Sequence, residues 1–201
     1  MKSLLCSVVL AIAAALPLAA QDASAADKAR ANEYLANTKA AFLTAVTGLS
    51  DAQLNFKPGP TRWSVAEVSE HIASAEDFLL GMVQTQVMKA PARTEEANLK
   101  EIDDFVLTVI PDRTNKVKAP EPLVPTKRFG SAAGSVEHFK ESRAKTVAFL
   151  NDTKDLRGHA NDSPLGKKLD AYQYILFISA HCERHTKQIL EVKADPGFPK
   201  K

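Results

Sequence analysis

The sequence predicts an all-α protein, a four-helix bundle with an extra short helix and a proline-rich connector between its second and third helices. Apolar residues recur every three or four positions in four long segments, the spacing of helices that bury one face. Turn residues separate these segments, and none shows the alternation of a strand. Four helices joined by short to medium loops are typical of a bundle whose core can host a metal.

Helix one, residues 27–49, and helix two, residues 64–89, form the first half of the predicted bundle. The apolar set of helix one is Leu35, Phe42, Val46 and Leu49. A turn with two prolines around a glycine, residues 55–61, precedes helix two. Ser64 and Glu67 match the capping box that opens a helix, and Pro91 ends the segment. The inner stripe of helix two contains Val68, His71, Ala75, Phe78 and Met82.

The extra short helix is predicted at residues 94–110, with Leu99, Ile102, Phe105, Val106 and Val109 as its apolar set. The proline-rich connector, residues 119–125, holds three prolines, which prevent a regular helix there. Helix three, residues 135–151, uses Val136, Phe139, Val147 and Leu150. A polar loop leads to helix four, residues 169–193, which Pro196 and Gly197 end. Its inner stripe contains Ala171, Tyr174, Ile178, His181, His185, Gln188 and Val192.

The first 25 residues have the composition of a cleaved secretory signal. Lys2 precedes an apolar run at residues 4–18, and Ala23-Ser-Ala25 is a typical cleavage site. The run is too short and wrongly flanked for a lasting transmembrane helix. We therefore expect an exported, periplasmic protein whose residues 26–201 form one domain, with no stable membrane anchoring after cleavage.

Charge and cysteine content narrow the expected partners. The 26 basic residues nearly balance the 24 acidic ones, for a net charge of +2, and no basic block stands out. This argues against nucleic acid or an anionic membrane surface as a partner and favours a small-molecule substrate or ligand. A homodimer through the outer helix faces stays open. Cys182, the single cysteine after cleavage, is expected to be buried without a disulfide.

Three histidines lie on the predicted apolar stripes, where an imidazole without a partner is unfavourable. His181 and His185 are one turn apart on one face of helix four, and His71 lies on the inner stripe of helix two. Three neutral imidazoles suit a divalent metal and leave a position for water or substrate. We expect one such ion, zinc or nickel. From spacing alone, three core histidines satisfied by hydrogen bonds remain an equal alternative.

Neighbouring side chains are interpreted differently. Four are expected to be solvent-exposed: His138, His159, Glu183 and Arg184. Glu67 could orient His71 from behind, but the capping box accounts for it better. Cys182 lies about 100° around the helix from His181, so it is not expected to be a ligand.

Residues 57–71 and 181–188 resemble the DinB-like superfamily. The resemblance rests on Trp63-Ser-x-x-Glu67-x-x-x-His71 together with the late His181-x-x-x-His185. It implies an up-up-down-down four-helix bundle with one divalent metal held by His71, His181 and His185, and with Trp63 packed near the site mouth. Family members with known activity are metal-dependent thiol transferases and maleylpyruvate isomerase, a thiol-dependent isomerase.

The function is therefore expected to depend on a metal ion. The leading hypothesis is an exported metal-dependent hydrolase or transferase of unknown substrate, and no residue is singled out as catalytic. The alternative is a non-catalytic stress protein that binds metal or a small ligand. Thiol transfer is less favoured for an exported chain, because low-molecular-weight thiols are less dependable outside the cytoplasm.

Overall fold

The computed structural model describes residues 22–93 and 97–200, so residues 1–21 of the predicted signal, residues 1–25, lie outside the described residues. Six α-helices are described: α1 Ala25–Val46, α2 Asp51–Asn55, α3 Val65–Thr85, α4 Leu99–Val109, α5 Ala132–Asp152 and α6 Ala171–Lys193. Two short strands, β1 Ala160–Asp162 and β2 Lys168–Asp170, pair antiparallel, and 3-10 turns lie at Val87–Lys89 and Glu121–Leu123. The predicted all-α class is confirmed.

The bundle consists of α1, α3, α5 and α6, with α3 and α1 each packed against both α5 and α6. The Tyr172 hydroxyl donates to the Asp27 carbonyl and the Lys193 ammonium to the Ala45 carbonyl, so α1 and α6 run parallel. Between α1 and α5, Phe42 packs edge-on against Phe139, with ring centroids 4.7 Å apart. Because Phe42 is late in α1 and Phe139 is early in α5, these two helices run antiparallel.

α3 runs antiparallel to α6, because Arg62, just before α3, pairs with Glu191, late in α6, while His71 faces His181. The helix directions in chain order are therefore up, down, down, up, and the up-up-down-down order implied by the resemblance is wrong. α5 starts at the same end of the bundle as α3, so the chain must return along the bundle between them. The helix α4, packed on α6, makes most of this return.

Several boundaries differ from the predicted ones for local reasons. Helix one ends at Val46, because Gly48 has a φ of 73°, and Ser50 then caps the separate helix α2. Helix three begins earlier, at Ala132, because Ser131 caps it. Helix four begins at Ala171, since Leu169 belongs to β2. The hairpin was not predicted because three-residue strands are too short to show alternation.

The other two predicted helices are also shorter than expected. Helix two ends at Thr85 and continues only as the 3-10 turn that follows, and the extra helix begins at Leu99, where Asn98 accepts a hydrogen bond as its N-cap. Phe78 is 42% exposed, so its place on the inner stripe was predicted wrongly. No helix in residues 22–93 or 97–200 combines the length and the apolar character needed to cross a membrane.

A buried ionic group, here called the arginine cluster, ties α4 to the hairpin and to α6. Arg157 forms two 2.8 Å hydrogen bonds to the Asp103 carboxylate and one of 3.3 Å to Asp170, and all three side chains are 5% exposed or less. The Arg157 guanidinium also lies 4.0 Å above the Tyr172 ring. Every charge in the cluster has a partner, so α4 is held in place at the start of its return along the bundle.

Candidate metal centre

The fold brings the three predicted histidines together. His71 lies in the second turn of α3 and is buried, and its Nε2 is 3.2 Å from the Nε2 of both His181 and His185 on α6. The ligand atoms of all three lie within 4.8 Å of one another, so this histidine triad could hold a metal ion. Metal binding by these residues stays a prediction.

Burial keeps the three imidazoles neutral near pH 7. Loss of hydration lowers the pKa of His71 below its ordinary value. The pKa values of His181 and His185 lie well below the ordinary range, first because of burial and then because the other imidazoles of the triad would repel a positive charge. A neutral imidazole carries one proton and one lone pair, which is the form that binds a metal.

Contacts behind the triad determine which nitrogen carries the proton in two of the rings. The Nδ1 of His71 lies 2.9 Å from the Leu123 carbonyl oxygen, which can only accept, so Nδ1 donates. The Nδ1 of His185 lies 2.8 Å from Gln188 Oε1. Arg113 donates to the same oxygen at 3.4 Å, and this fixes the amide orientation because a guanidinium has only donors. In both rings Nε2 therefore carries the lone pair.

The Nε2 lone pairs of His71 and His185 consequently face each other across 3.2 Å in a partly buried position. Two acceptors cannot form a hydrogen bond, so this contact is unfavourable unless a cation lies between them. Tetrahedral ligands at the usual zinc–imidazole distance stand about 3.3 Å apart. The donor type, the protonation and the spacing all fit a metal ion.

Two aromatic side chains border the triad. The Trp63 ring lies against His71, with ring centroids 5.0 Å apart, so this tryptophan is next to the site as the resemblance implied. Phe177 lies farther off, 6.4 Å from the His181 ring. These rings line the site with apolar surface.

Glu67 forms the capping box favoured from the sequence, and Cys182 lies apart from the triad. The Glu67 carboxylate accepts from the Ser64 backbone N–H at 2.8 Å and from Lys57 at 2.7 Å, which is the capping role. Cys182 is fully buried and free, and burial raises the pKa of its thiol to about 11. Its sulfur lies 3.7 Å from the Thr38 carbonyl, toward α1 and away from the triad.

The four side chains predicted to be solvent-exposed are instead half-buried and bonded. His138 contacts Asp77 at 2.5 Å, and His159 contacts the Ala90 carbonyl at 2.5 Å. Glu183 accepts from the Tyr34 hydroxyl at 2.5 Å. Arg184 donates to backbone carbonyls beyond α4, including Ile110 at 3.2 Å. The prediction was wrong because their partners come from distant segments that local spacing does not reveal.

Sequence reasoning also missed the support that surrounds the triad. The loop between α4 and α5, residues 110–131, supplies both Leu123 and Arg113. Glu70, the residue before His71, is 4% exposed and accepts from the backbone N–H groups of residues 126–128 in this loop. Burial alone would raise the pKa of Glu70, but these N–H groups hold it below its ordinary value. An acidic residue on a buried helix face was the signal that could have revealed this contact.

Fold and site together define a class of protein, the four-helix bundle with three histidines that could hold a metal between two of its helices. The chain belongs to the DinB superfamily, whose profile matches residues 34–189. It is 33% identical over 147 residues to the uncharacterized protein YuaE of Bacillus subtilis (strain 168), covering 73% of this chain and 86% of that one.

A solved structure has the same fold. YfiT from Bacillus subtilis, described as a probable metal-dependent hydrolase with an unusual four-helix bundle topology, aligns with a TM-score of 0.56 and 15% identity. The alignment covers 88% of this chain and 91% of YfiT. At this identity the likeness shows the fold alone.

Proposed function

We propose that this protein is a metal-dependent hydrolase whose single divalent ion is held by His71, His181 and His185. The observation that carries the proposal is the pair of opposed lone pairs on His71 and His185, 3.2 Å apart, for which a cation is the natural partner. The description of YfiT as a probable metal-dependent hydrolase supports the choice of reaction class.

Zinc is the ion we propose. Three neutral imidazoles are borderline-soft ligands that suit zinc or nickel. The 3.2 Å spacing is closer to the roughly 3.3 Å of a tetrahedral zinc site than to the roughly 2.9 Å expected for adjacent ligands at a right angle and similar bond lengths. Nickel, which more often takes such right-angled geometries, is the second choice.

An ion with three protein ligands keeps a position for water and substrate and supplies the acidity that hydrolysis needs. The chain's own residues prepare this position. Leu123 and Gln188 hold two imidazoles with their lone pairs inward, so little rearrangement accompanies loading. The ring of Trp63 packs beside His71 and gives that side of the site an apolar surface.

Elemental analysis of the purified protein and assays of ester, amide and thiol substrates test this proposal. We expect one equivalent of divalent metal, and hydrolysis that a chelator abolishes and added zinc restores. The His185→Ala variant should lose both metal and activity, while His159→Ala, which removes another half-buried histidine, should keep them. Less than a tenth of an equivalent of metal under loading with zinc or nickel contradicts the proposal.

A second candidate is a metal-binding protein without turnover. Four carboxylates close to the triad in sequence already accept hydrogen bonds elsewhere: Glu67 caps α3, Glu70 binds the α4–α5 loop, Glu183 accepts from Tyr34 and Glu191 pairs with Arg113. None is free to act as a general base. Stoichiometric zinc binding without hydrolysis of any substrate class favours this candidate.

Export to the periplasm also enters as a proposal, supported by the composition of residues 1–25. Cleavage after Ala25 would remove Ser24, which caps α1 in a capping box with Asp27, and Ala23, which is 6% exposed. The intact mass of the secreted chain distinguishes a cut there from one farther upstream. We further propose that the substrate is a small molecule. We also propose a homodimer, and light scattering of the purified protein tests this oligomeric state.

A further inference from the structure

The α4–α5 loop supports the triad from outside. Its Leu123 carbonyl accepts from His71, and its Arg113 fixes the amide of Gln188 that accepts from His185. Two of the three histidines therefore depend on a segment without regular helix for the orientation of their rings. A loop can fix a ring in this way only if the loop itself is held.

Glu70 provides the strongest hold on this part of the loop. Its two carboxylate oxygens accept from the backbone N–H groups of Thr126, Lys127 and Arg128 at 2.7, 2.8 and 3.1 Å. The Arg128 side chain adds a 3.3 Å bond to the same carboxylate. Four donors thus converge on one buried carboxylate, three of them on Oε1 and one on Oε2.

Arg128 then closes the loop around Leu123. Its guanidinium donates to the Pro122 carbonyl at 2.9 Å and to the Val124 carbonyl at 2.8 Å, the residues on either side of Leu123. The contacts run from Glu70 through Arg128 to Leu123, and from Leu123 to the His71 ring. Because Glu70 and His71 are consecutive in α3, one helical turn carries both the ligand and the side chain that fixes its orienting carbonyl.

We propose that Glu70 is a positioning residue for the metal centre. It holds the Leu123 carbonyl against Nδ1 of His71, so that the lone pair of Nε2 faces the ion. The inference rests on the proposed metal site, although the effect of Glu70 on the His71 ring does not depend on a bound metal. Residues 126–128 are exposed, so water can replace the carboxylate at their N–H groups when Glu70 is changed, and the bundle is expected to fold.

Zinc affinity of Glu70→Gln, measured by competition with a chromophoric chelator, tests the role. We expect a dissociation constant about 10–100-fold above that of the wild-type protein, the usual effect of losing an outer partner of a ligand. The matched control is Glu67→Gln, which changes a carboxylate of the same helix that also accepts a backbone N–H but does not touch the loop. Its zinc affinity should stay unchanged, and Glu70→Asp should recover part of the loss.

A second measurement on the metal-free protein separates this role from the proposed function. Long-range ¹H–¹⁵N spectra should show His71 protonated at Nδ1 in the wild type and in Glu67→Gln, and a mixture of tautomers in Glu70→Gln. If the wild type binds no zinc, the proposed function fails, and a mixed tautomer in Glu70→Gln still supports positioning. An unchanged tautomer overturns the inference, as does unchanged zinc affinity in a wild type that binds zinc.

Should Glu70→Gln not fold, Arg128→Ala is the alternative variant. Arg128 is on the surface, with a side chain 33% exposed, and its loss frees the same carbonyls beside Leu123. Both the tautomer and the zinc affinity should change in the same direction as for Glu70→Gln. A fully wild-type profile overturns the inference.

Discussion

Two sites in this bundle bury polar groups in opposite ways. At the start of α6 the arginine cluster pairs each charge with another, with Arg157 donating to both Asp103 and Asp170. Along the middle of α6 the histidine triad places two lone pairs face to face, so that its protein partners leave one requirement unmet. The difference teaches that a complete set of partners suits a structural group, while the incomplete set is what the proposed metal site requires.

The largest expected effect is at the arginine cluster, where every charge has a partner. Replacing Arg157 with Met keeps much of the side chain's volume but leaves the Asp103 and Asp170 carboxylates buried without their main partner. We expect the free energy of unfolding, measured with urea, to fall by about 3–5 kcal/mol. Zinc affinity of the folded variant should stay near that of the wild type. A loss below about 1 kcal/mol would show that the arginine cluster does not stabilise the fold as expected.

The histidine triad should respond in the reverse sense, with a small loss of stability and a large loss of zinc affinity. His185→Ala removes a ring whose hydrogen-bond acceptor, Gln188, keeps Arg113 as a donor. Metal-free stability should therefore fall by less than about 1.5 kcal/mol. Zinc affinity should fall by more than the roughly 10–100-fold caused by losing an outer partner. The control His159→Ala removes a ring bonded to the Ala90 carbonyl and should leave zinc binding intact.

Acidification should change the stability of the protein through the histidine triad. The pKa values of the triad lie below the ordinary value of about 6.5, so on acidification the unfolded chain binds protons that the folded chain does not. The triad's contribution to metal-free stability is therefore full above about pH 7 and falls as the pH drops toward 5, by about 1.4 kcal/mol for each pH unit by which a pKa is lowered. Urea titrations at several pH values measure this slope. His185→Ala should flatten it, and an equally steep slope there would contradict this assignment.

The smallest expected effect is at an exposed ion pair. Arg30 and Asp104 stand 3.3 Å apart with both side chains 45% exposed. Arg30→Ala should change the free energy of unfolding by less than about 1 kcal/mol, because water screens such pairs. A larger loss would mean that burial is not what distinguishes the arginine cluster from the exposed ion pairs of this protein.

Much of the bundle could be predicted from the sequence, because apolar spacing reports directly on the buried face of a helix. The triad was visible for the same reason, as His181 and His185 are one turn apart and His71 lies on an apolar stripe. The helix directions were not visible in this way. They depend on how the segment between α3 and α5 returns along the bundle, which contacts between distant residues determine.

The supporting contacts were out of reach for a related reason. The partner of His71 is a backbone carbonyl, and every residue has one, so no residue type marks Leu123 as special. Glu70 looked like an ordinary helix residue because the backbone N–H groups that donate to its carboxylate lie 56 to 58 positions away in the sequence. Arg157 and Asp103 are likewise 54 positions apart. Local patterns record which face is buried but not which distant group meets it.

The separation of the triad along the chain has a consequence for its order of assembly. His71 is 110 residues from His181, and α6 is the last helix described. Closing so long a loop before other contacts form is entropically unfavourable. The three imidazoles therefore converge only after nearly the whole chain has been synthesised and the bundle has closed. A metal ion would be captured by the folded protein, so the compartment in which folding finishes would select the ion.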